Sequence, residues 1–83
     1  MNPNETWDDM LLALKRKKWD VAEELAFTLH DWLLANKPPP LTVGDEGLGK
    51  RWHQTIASFT CLVIINKVKE IRKRREKKKG GTL

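Results

Sequence analysis

The chain has 83 residues and a formal net charge of +5, with four Trp, two Phe and a single Cys. This length allows one small domain, and the aromatic content excludes a wholly disordered chain. One cysteine excludes an internal disulfide, and no apolar stretch approaches the roughly 20 residues of a membrane span, so we expect a reduced, cytoplasmic protein.

The first predicted helix covers residues 6–17. Asp8 and Asp9 suit its beginning, because acidic groups favour the positive end of the helix dipole, and the basic run 15–18 suits its end. Apolar side chains recur at the spacing that lines one face of an α-helix, and they are Trp7, Met10, Leu11 and Leu14.

The second predicted helix covers residues 20–36. Asp20 followed by Glu23 is similar to a capping box at its beginning. Three prolines, Pro38 to Pro40, end it because proline has no N–H to donate. The apolar positions at helical spacing are Val21, Ala22, Leu25, Leu29, Trp32 and Leu33. The short break between the two helices predicts an antiparallel hairpin.

Within this hairpin, Trp19, Asp20 and Ala22 stand where a tetratricopeptide repeat has an aromatic, an acidic and a small residue at the bend between its helices. The segment 7–40 therefore resembles one such repeat. The first helix departs from the family pattern, a lysine replaces the turn glycine, and there is no second copy. The resemblance implies a helical hairpin and, more weakly, peptide binding.

A connector rich in Pro and Gly, residues 37–47, precedes the third predicted helix, 48–75. The β-branched run 60–68 could also form a strand, but there is no partner strand, so we favour a helix. A basic, Gly-containing flexible tail, 76–83, follows the single domain 1–75. The predicted fold class is all-α, with a hairpin, a long third helix and a basic extension, either as one three-helix unit or as a dimeric bundle.

The glycine-rich part of the connector has the spacing of a phosphate-binding loop, with Gly44, Gly49 and Lys50 in place. Such a loop needs Ser or Thr after the lysine to hold magnesium, and Arg51 stands there instead. Asp45 and Glu46 would repel phosphates. We therefore interpret the segment as a loop whose glycines permit positive φ before a helix.

Catalytic and metal-binding patterns are missing from the sequence. His30, His53 and Cys61 lie far apart and do not form the short-interval pairs of a zinc site. The carboxylates fall on polar helix faces, and no nucleophile, base and orienting group can be assembled. We predict a protein that is not an enzyme and has no metal, no cofactor and no small-molecule substrate.

Five consecutive apolar residues, 61–65, go all round a helix and so require cover on more than one side. A two-helix hairpin covers one side only, which leads us to expect a protein partner or a homodimer through the third helix. The predicted interaction surface comprises Trp52, Ile56, Phe59, Val63, Ile64, Ile65 and Val68.

Residues 67–79 contain nine Lys or Arg and two Glu, a net charge of +7, so the remainder of the chain carries −2. Cations in such a run can neutralise nucleic-acid phosphates, with little reading of base edges. Trp52, among cations, could stack on a base or instead fix the start of the third helix. The predicted nucleic-acid-binding residues are Lys67, Lys69, Arg72, Lys73, Arg74, Arg75, Lys77, Lys78 and Lys79, assisted by Lys50 and Arg51.

Three functions follow from these features. The first is a small interaction or adaptor module that uses the hairpin groove and the apolar third helix. The second is non-specific nucleic-acid binding through the basic helix. The third, with less support, is attachment to an anionic membrane surface.

Overall fold

The computed structural model describes the backbone of residues 1–80 and the side chains of residues 1–75. It contains three α-helices, α1 (Pro3–Lys15), α2 (Trp19–Leu34) and α3 (Lys50–Gly80), and one 3₁₀ turn at Glu46–Leu48. Residues 1–80 contain no strand, and the predicted all-α fold with a hairpin and a long third helix is confirmed. The side chains of Lys77, Lys78 and Lys79 and all of residues 81–83 lie outside the described part.

Helix α1 begins three residues earlier than the sequence pattern predicts. The side chain of Asn2 accepts hydrogen bonds from the N–H groups of Asn4 at 3.0 Å and Glu5 at 3.3 Å, which caps the helix. Pro3 occupies the first helical position, where its missing N–H costs nothing. The chain then turns through Lys17, whose φ of 58° is left-handed.

The predicted capping box at the start of α2 is wrong. The N-cap residue is Lys18, and its side chain makes no capping hydrogen bond. Asp20 and Glu23 instead accept hydrogen bonds from Arg72 of α3. Helix α2 ends at Leu34, two residues before the predicted end, because Asn36 takes a left-handed φ of 58° ahead of the prolines.

Helix α2 is the central element, because it packs against both α1 and α3. Both neighbours run antiparallel to it: Asn4 of α1 lies beside Leu41 after the end of α2, and Arg72 of α3 lies beside Asp20 at its start. Alanines at the contacts let the helices approach closely. The buried apolar core consists of Trp7, Met10, Ala13, Ala22, Ala26, Leu29, Leu33, Ala57, Cys61, Ile64, Ile65 and Val68.

The connector is fixed by side chains of α3. His53 is buried, accepts a hydrogen bond at Nδ1 from the Thr42 N–H at 3.0 Å, and lies with Nε2 3.1 Å from the Asp45 carbonyl. Trp52 Nε1 donates to the carbonyl of Val43 at 2.8 Å. The neighbouring residues His53 and Trp52 therefore hold the connector from two faces of the same helix.

The glycine-rich loop has the geometry expected of a turn before a helix. Gly44 and Gly49 both have a φ of 91°, a conformation that L side chains rarely adopt. Asp45 caps the 3₁₀ turn by accepting a hydrogen bond from the Gly47 N–H at 3.3 Å. Gly49 separates this turn from α3, so α3 starts at Lys50 rather than at residue 48.

Candidate functional site

The predicted interaction residues of α3 lie on two opposite faces. Ile64, Ile65 and Val68 are no more than 5% exposed and pack in the core. The prediction that these three form an interaction surface is wrong, because the side of α3 that carries them faces α2. Ile56 is half-buried and packs against the same core. We call this side of α3 the inner face.

The opposite side of α3 is also apolar, and the described chain leaves much of it exposed, with only the connector reaching Trp52. Trp52 is 46% exposed, Phe59 68%, Leu62 48% and Val63 46%. These four residues form what we call the outer face, which extends for about 17 Å at the helical rise of 1.5 Å per residue. Leu62 was not among the residues predicted from the sequence, although its position in the apolar run 61–65 would have allowed it.

Charged residues lie at both ends of the outer face: two acidic and two basic residues at its beginning (Asp45, Glu46, Lys50 and Arg51), and a mostly basic segment from Lys67 onward. Asp45 and Glu46 are exposed immediately before α3, whereas Lys73 and Arg74 are exposed in its later part. Glu46 lies 13 positions before Phe59, and Lys73 lies 14 positions after it. The first of these separations is shorter in space than in sequence, because the Asp45 carbonyl lies 3.1 Å from Nε2 of His53, which is only about 9 Å before Phe59 along α3.

Arg72 differs from the other predicted nucleic-acid-binding residues. Its guanidinium lies 2.7 Å from a carboxylate oxygen of Asp20 and 2.7 Å from one of Glu23. Hydrogen bonds to Asp20 and then Glu23 raise the pKa of Arg72 above its ordinary value. We therefore assign Arg72 to the contact between α2 and α3 rather than to a free cationic surface.

Lys50 and Arg51 are not brought to the basic part of α3. They stand at the first positions of the helix, and 22 residues separate Lys50 from Arg72. At the helical rise this separation is about 33 Å. The expectation that Lys50, Arg51 and Trp52 assist the basic segment as one site is not supported by this arrangement. The second role considered for Trp52, fixing the start of α3, agrees with its hydrogen bond to Val43.

A different basic segment is brought to that end of the molecule. The turn between α1 and α2 carries Lys17 and Lys18, which line a shallow cleft together with Arg75 of α3. In the sequence these residues are nearly 60 positions apart, and the charge pattern did not associate them. Their proximity follows from the antiparallel packing of α3 on α2.

The two buried titratable side chains of residues 1–75, those of Cys61 and His53, are held by the contacts of the fold. Burial raises the pKa of the Cys61 thiol to about 11, which keeps it protonated near neutral pH and makes it a poor nucleophile. Both ring nitrogens of His53 contact the connector. Within the described residues, no group of three or more His, Cys, Asp or Glu side chains could hold a metal ion.

The fold and surface define an all-α, three-helix protein whose long helix is apolar on both sides over its first half. No protein-family model, curated protein or solved structure matches the chain. In the described part, none of the helices combines the length and apolar character needed to cross a bilayer.

Proposed function

We propose that this protein is a small interaction module that works without catalysis, by docking the outer face of α3 on a second copy of the chain. The observation that carries the proposal is the exposure of Trp52, Phe59, Leu62 and Val63 on one side of one helix. Scattered exposed apolar residues are normal, but a contiguous apolar row on a regular element is typical of an interface.

The charges around the outer face favour a second copy as its occupant. Asp45 lies beside His53, about 9 Å before Phe59 along α3, so an antiparallel pair of α3 helices that cross at Phe59 would place Asp45 and Glu46 of each copy near the start of the other's basic segment, at Lys67 and Lys69. The same arrangement would stack the apolar rows on each other. Opposite charges across an interface give orientation and specificity.

A parallel pair is disfavoured by the same charges. It would place the basic segments 67–79 of both copies side by side, each with a net charge of +7. Like charges at such an interface destabilise it. The proposed dimer is therefore antiparallel, with its two basic ends at opposite poles.

Sedimentation velocity over a range of protein concentrations tests the association. We expect the unaltered chain to dimerise. The Phe59→Glu variant should have a dimer dissociation constant at least about tenfold higher, because losing one buried Phe contact costs more than about 1.4 kcal/mol of association free energy. The matched control is Leu34→Glu, which alters a residue 69% exposed at the end of α2. Circular dichroism should find both variants helical.

Two results would contradict the proposal. One is a monomer at every concentration, and the other is equal weakening by Leu34→Glu. The orientation has its own test: replacing Asp45 and Glu46 with Lys should weaken an antiparallel dimer, and replacing Lys67 and Lys69 with Glu in the same chain should restore it. The second pair of substitutions alone separates the two arrangements: it should weaken an antiparallel dimer, because it sets acidic groups against Asp45 and Glu46, and it should strengthen a parallel dimer, because it relieves repulsion between the two basic segments.

We also propose that the protein acts in the cytoplasm. A single, buried and protonated thiol suits a reducing compartment, where thiols remain unpaired. Association through apolar groups should persist in salt, since screening acts on the flanking charges and leaves the apolar contacts largely unchanged.

A further inference from the structure

Two basic segments that are distant in the sequence meet at the end of the bundle where α1 joins α2. Lys17, Lys18 and Trp19 form one side of a shallow cleft of about 240 Å³, and Arg75 forms the other. Asp20 and Val21 complete its lining. The cleft lies apart from the outer face, because Phe59 is 16 residues, or about 24 Å along α3, from Arg75.

The nearby carboxylates do not neutralise this cleft. Asp20 and Glu23 both pair with Arg72 at 2.7 Å. Among residues 1–75, these are the only side-chain ion pairs, so no carboxylate of this described part lies within 4.0 Å of the side-chain nitrogens of Lys17, Lys18 or Arg75. Lys15 and Arg16 extend the cationic surface along the end of α1. The end of the bundle therefore has several cations available for an anionic partner.

We propose that this cleft binds the phosphate backbone of a nucleic acid without sequence preference. Lysine and arginine neutralise phosphates and release condensed counterions, which supplies most of the free energy of non-specific binding. Trp19 is half-buried and presents its remaining surface in the cleft, where a base of an unpaired strand can contact it. Lys17, Lys18 and Arg75 are the residues that hold phosphates.

The surroundings favour a nucleic acid over a lipid surface. Membrane docking needs large apolar side chains that protrude beside the cations and enter the interfacial region. The cleft itself has only the short side chain of Val21, 45% exposed, and Trp19, which packs partly against the core, whereas the most exposed aromatic residue, Phe59, lies well away from it. A concave cationic surface also suits a polymer backbone better than a flat layer of headgroups.

Fluorescence anisotropy measures this binding directly. The probes are a labelled single strand of about 20 nucleotides and two duplexes of the same length and unrelated sequence, titrated with the full chain over about 50 to 300 mM salt. We expect all three probes to bind, with closely similar affinities for the two duplexes. The slope of log K against log salt should correspond to several phosphates.

The discriminating variants remove two cations each, at opposite ends of the bundle. Lys18→Ala with Arg75→Ala should weaken binding about tenfold and lower the salt slope by about 2, roughly one for each lost phosphate contact. Lys50→Ala with Arg51→Ala has the same net charge and should change binding much less. Circular dichroism should find both double variants as helical as the unaltered chain.

Three outcomes would overturn the proposal. They are equal weakening by the two double variants, no binding of any probe at the lowest salt, and binding to vesicles of phosphatidylserine by a chain that ignores the oligonucleotides. The cleft does not depend on the proposed dimer. A Phe59→Glu variant that is monomeric and still binds the probes would separate the two surfaces.

Discussion

The inner and outer faces of α3 are built from the same kinds of residue and have opposite surroundings. Ile64 is 1% exposed, whereas its neighbour Val63 is 46% exposed. One face packs against α2 and takes part in the core, and the other meets solvent in the single chain. An apolar side chain on this helix therefore stabilises the fold on one side and is available for docking on the other.

The largest expected effect comes from placing a charge on each face in turn. Ile64→Asp should unfold the protein, because removing a buried Ile side chain alone costs about 2–5 kcal/mol and burying an unpaired carboxylate adds to that. Val63→Asp should leave the free energy of unfolding of the monomer nearly unchanged, when both variants are measured at protein concentrations below dimerisation. Urea denaturation followed by circular dichroism measures both. Equal destabilisation by the two variants would contradict the division of α3 into two faces.

A smaller effect is expected from the protonation of Cys61 on the inner face. Its pKa of about 11 in the folded chain lies above the value of 9.0 for a free thiol. The folded state therefore holds this proton more tightly than the unfolded state. Stability from this group is complete below about pH 9 and decreases as the pH rises through 11, by at most about 3 kcal/mol in all.

Thermal unfolding at pH 8 and at pH 10.5 measures this dependence on pH. The Cys61→Ala variant is the control, because it removes the thiol and should lack that part of the alkaline decrease. A variant with the same alkaline decrease as the unaltered chain would assign it to other groups.

The smallest effect is expected at the exposed ion pairs of Arg72. Arg72→Ala should lower the unfolding temperature by less than the Ile64→Asp substitution or the deprotonation of Cys61, since exposed ion pairs contribute little. High salt should reduce the difference. Lys73→Ala, one position further along, has no ion pair in the described part and should leave the monomer's unfolding temperature unchanged. A larger loss for Lys73→Ala would show that the cations stabilise the fold in another way.

The sequence could predict the three helices because each has a long apolar repeat, but it ended the third helix at residue 75 and placed a flexible tail at 76–83, whereas α3 continues to Gly80. The sequence could not divide α3 into an inner and an outer face. Five consecutive apolar residues point to all sides of a helix, and only the position of α2 decides which of these sides is buried. Ile64 and Ile65 were therefore assigned to an interaction surface, and Leu62 was left out.

The contacts of the charged residues could not be predicted from the sequence either, but for a different reason. Asp20 and Glu23 have the spacing of a local cap, but a strong cation 49 residues beyond Glu23 competes for their carboxylates. Lys18 and Arg75 line the same cleft only because α1 and α3 both run antiparallel to α2. Such contacts depend on tertiary packing, which residue spacing along the chain does not contain. The start of α1 was different, since Asn2 before Pro3 is a readable capping signal that the apolar pattern overshadowed.

The two ends of α3 are held with unequal strength, and this determines how the helix opens. At its beginning, His53 and Trp52 hydrogen-bond to the connector, whereas beyond Val68 the contacts with α2 include a single exposed arginine with two carboxylates. Fraying should therefore start at the basic end and progress towards Cys61. The rate of amide hydrogen exchange should decrease steadily along α3 from its last turns to Ala57, because the helix separates from α2 progressively from its basic end.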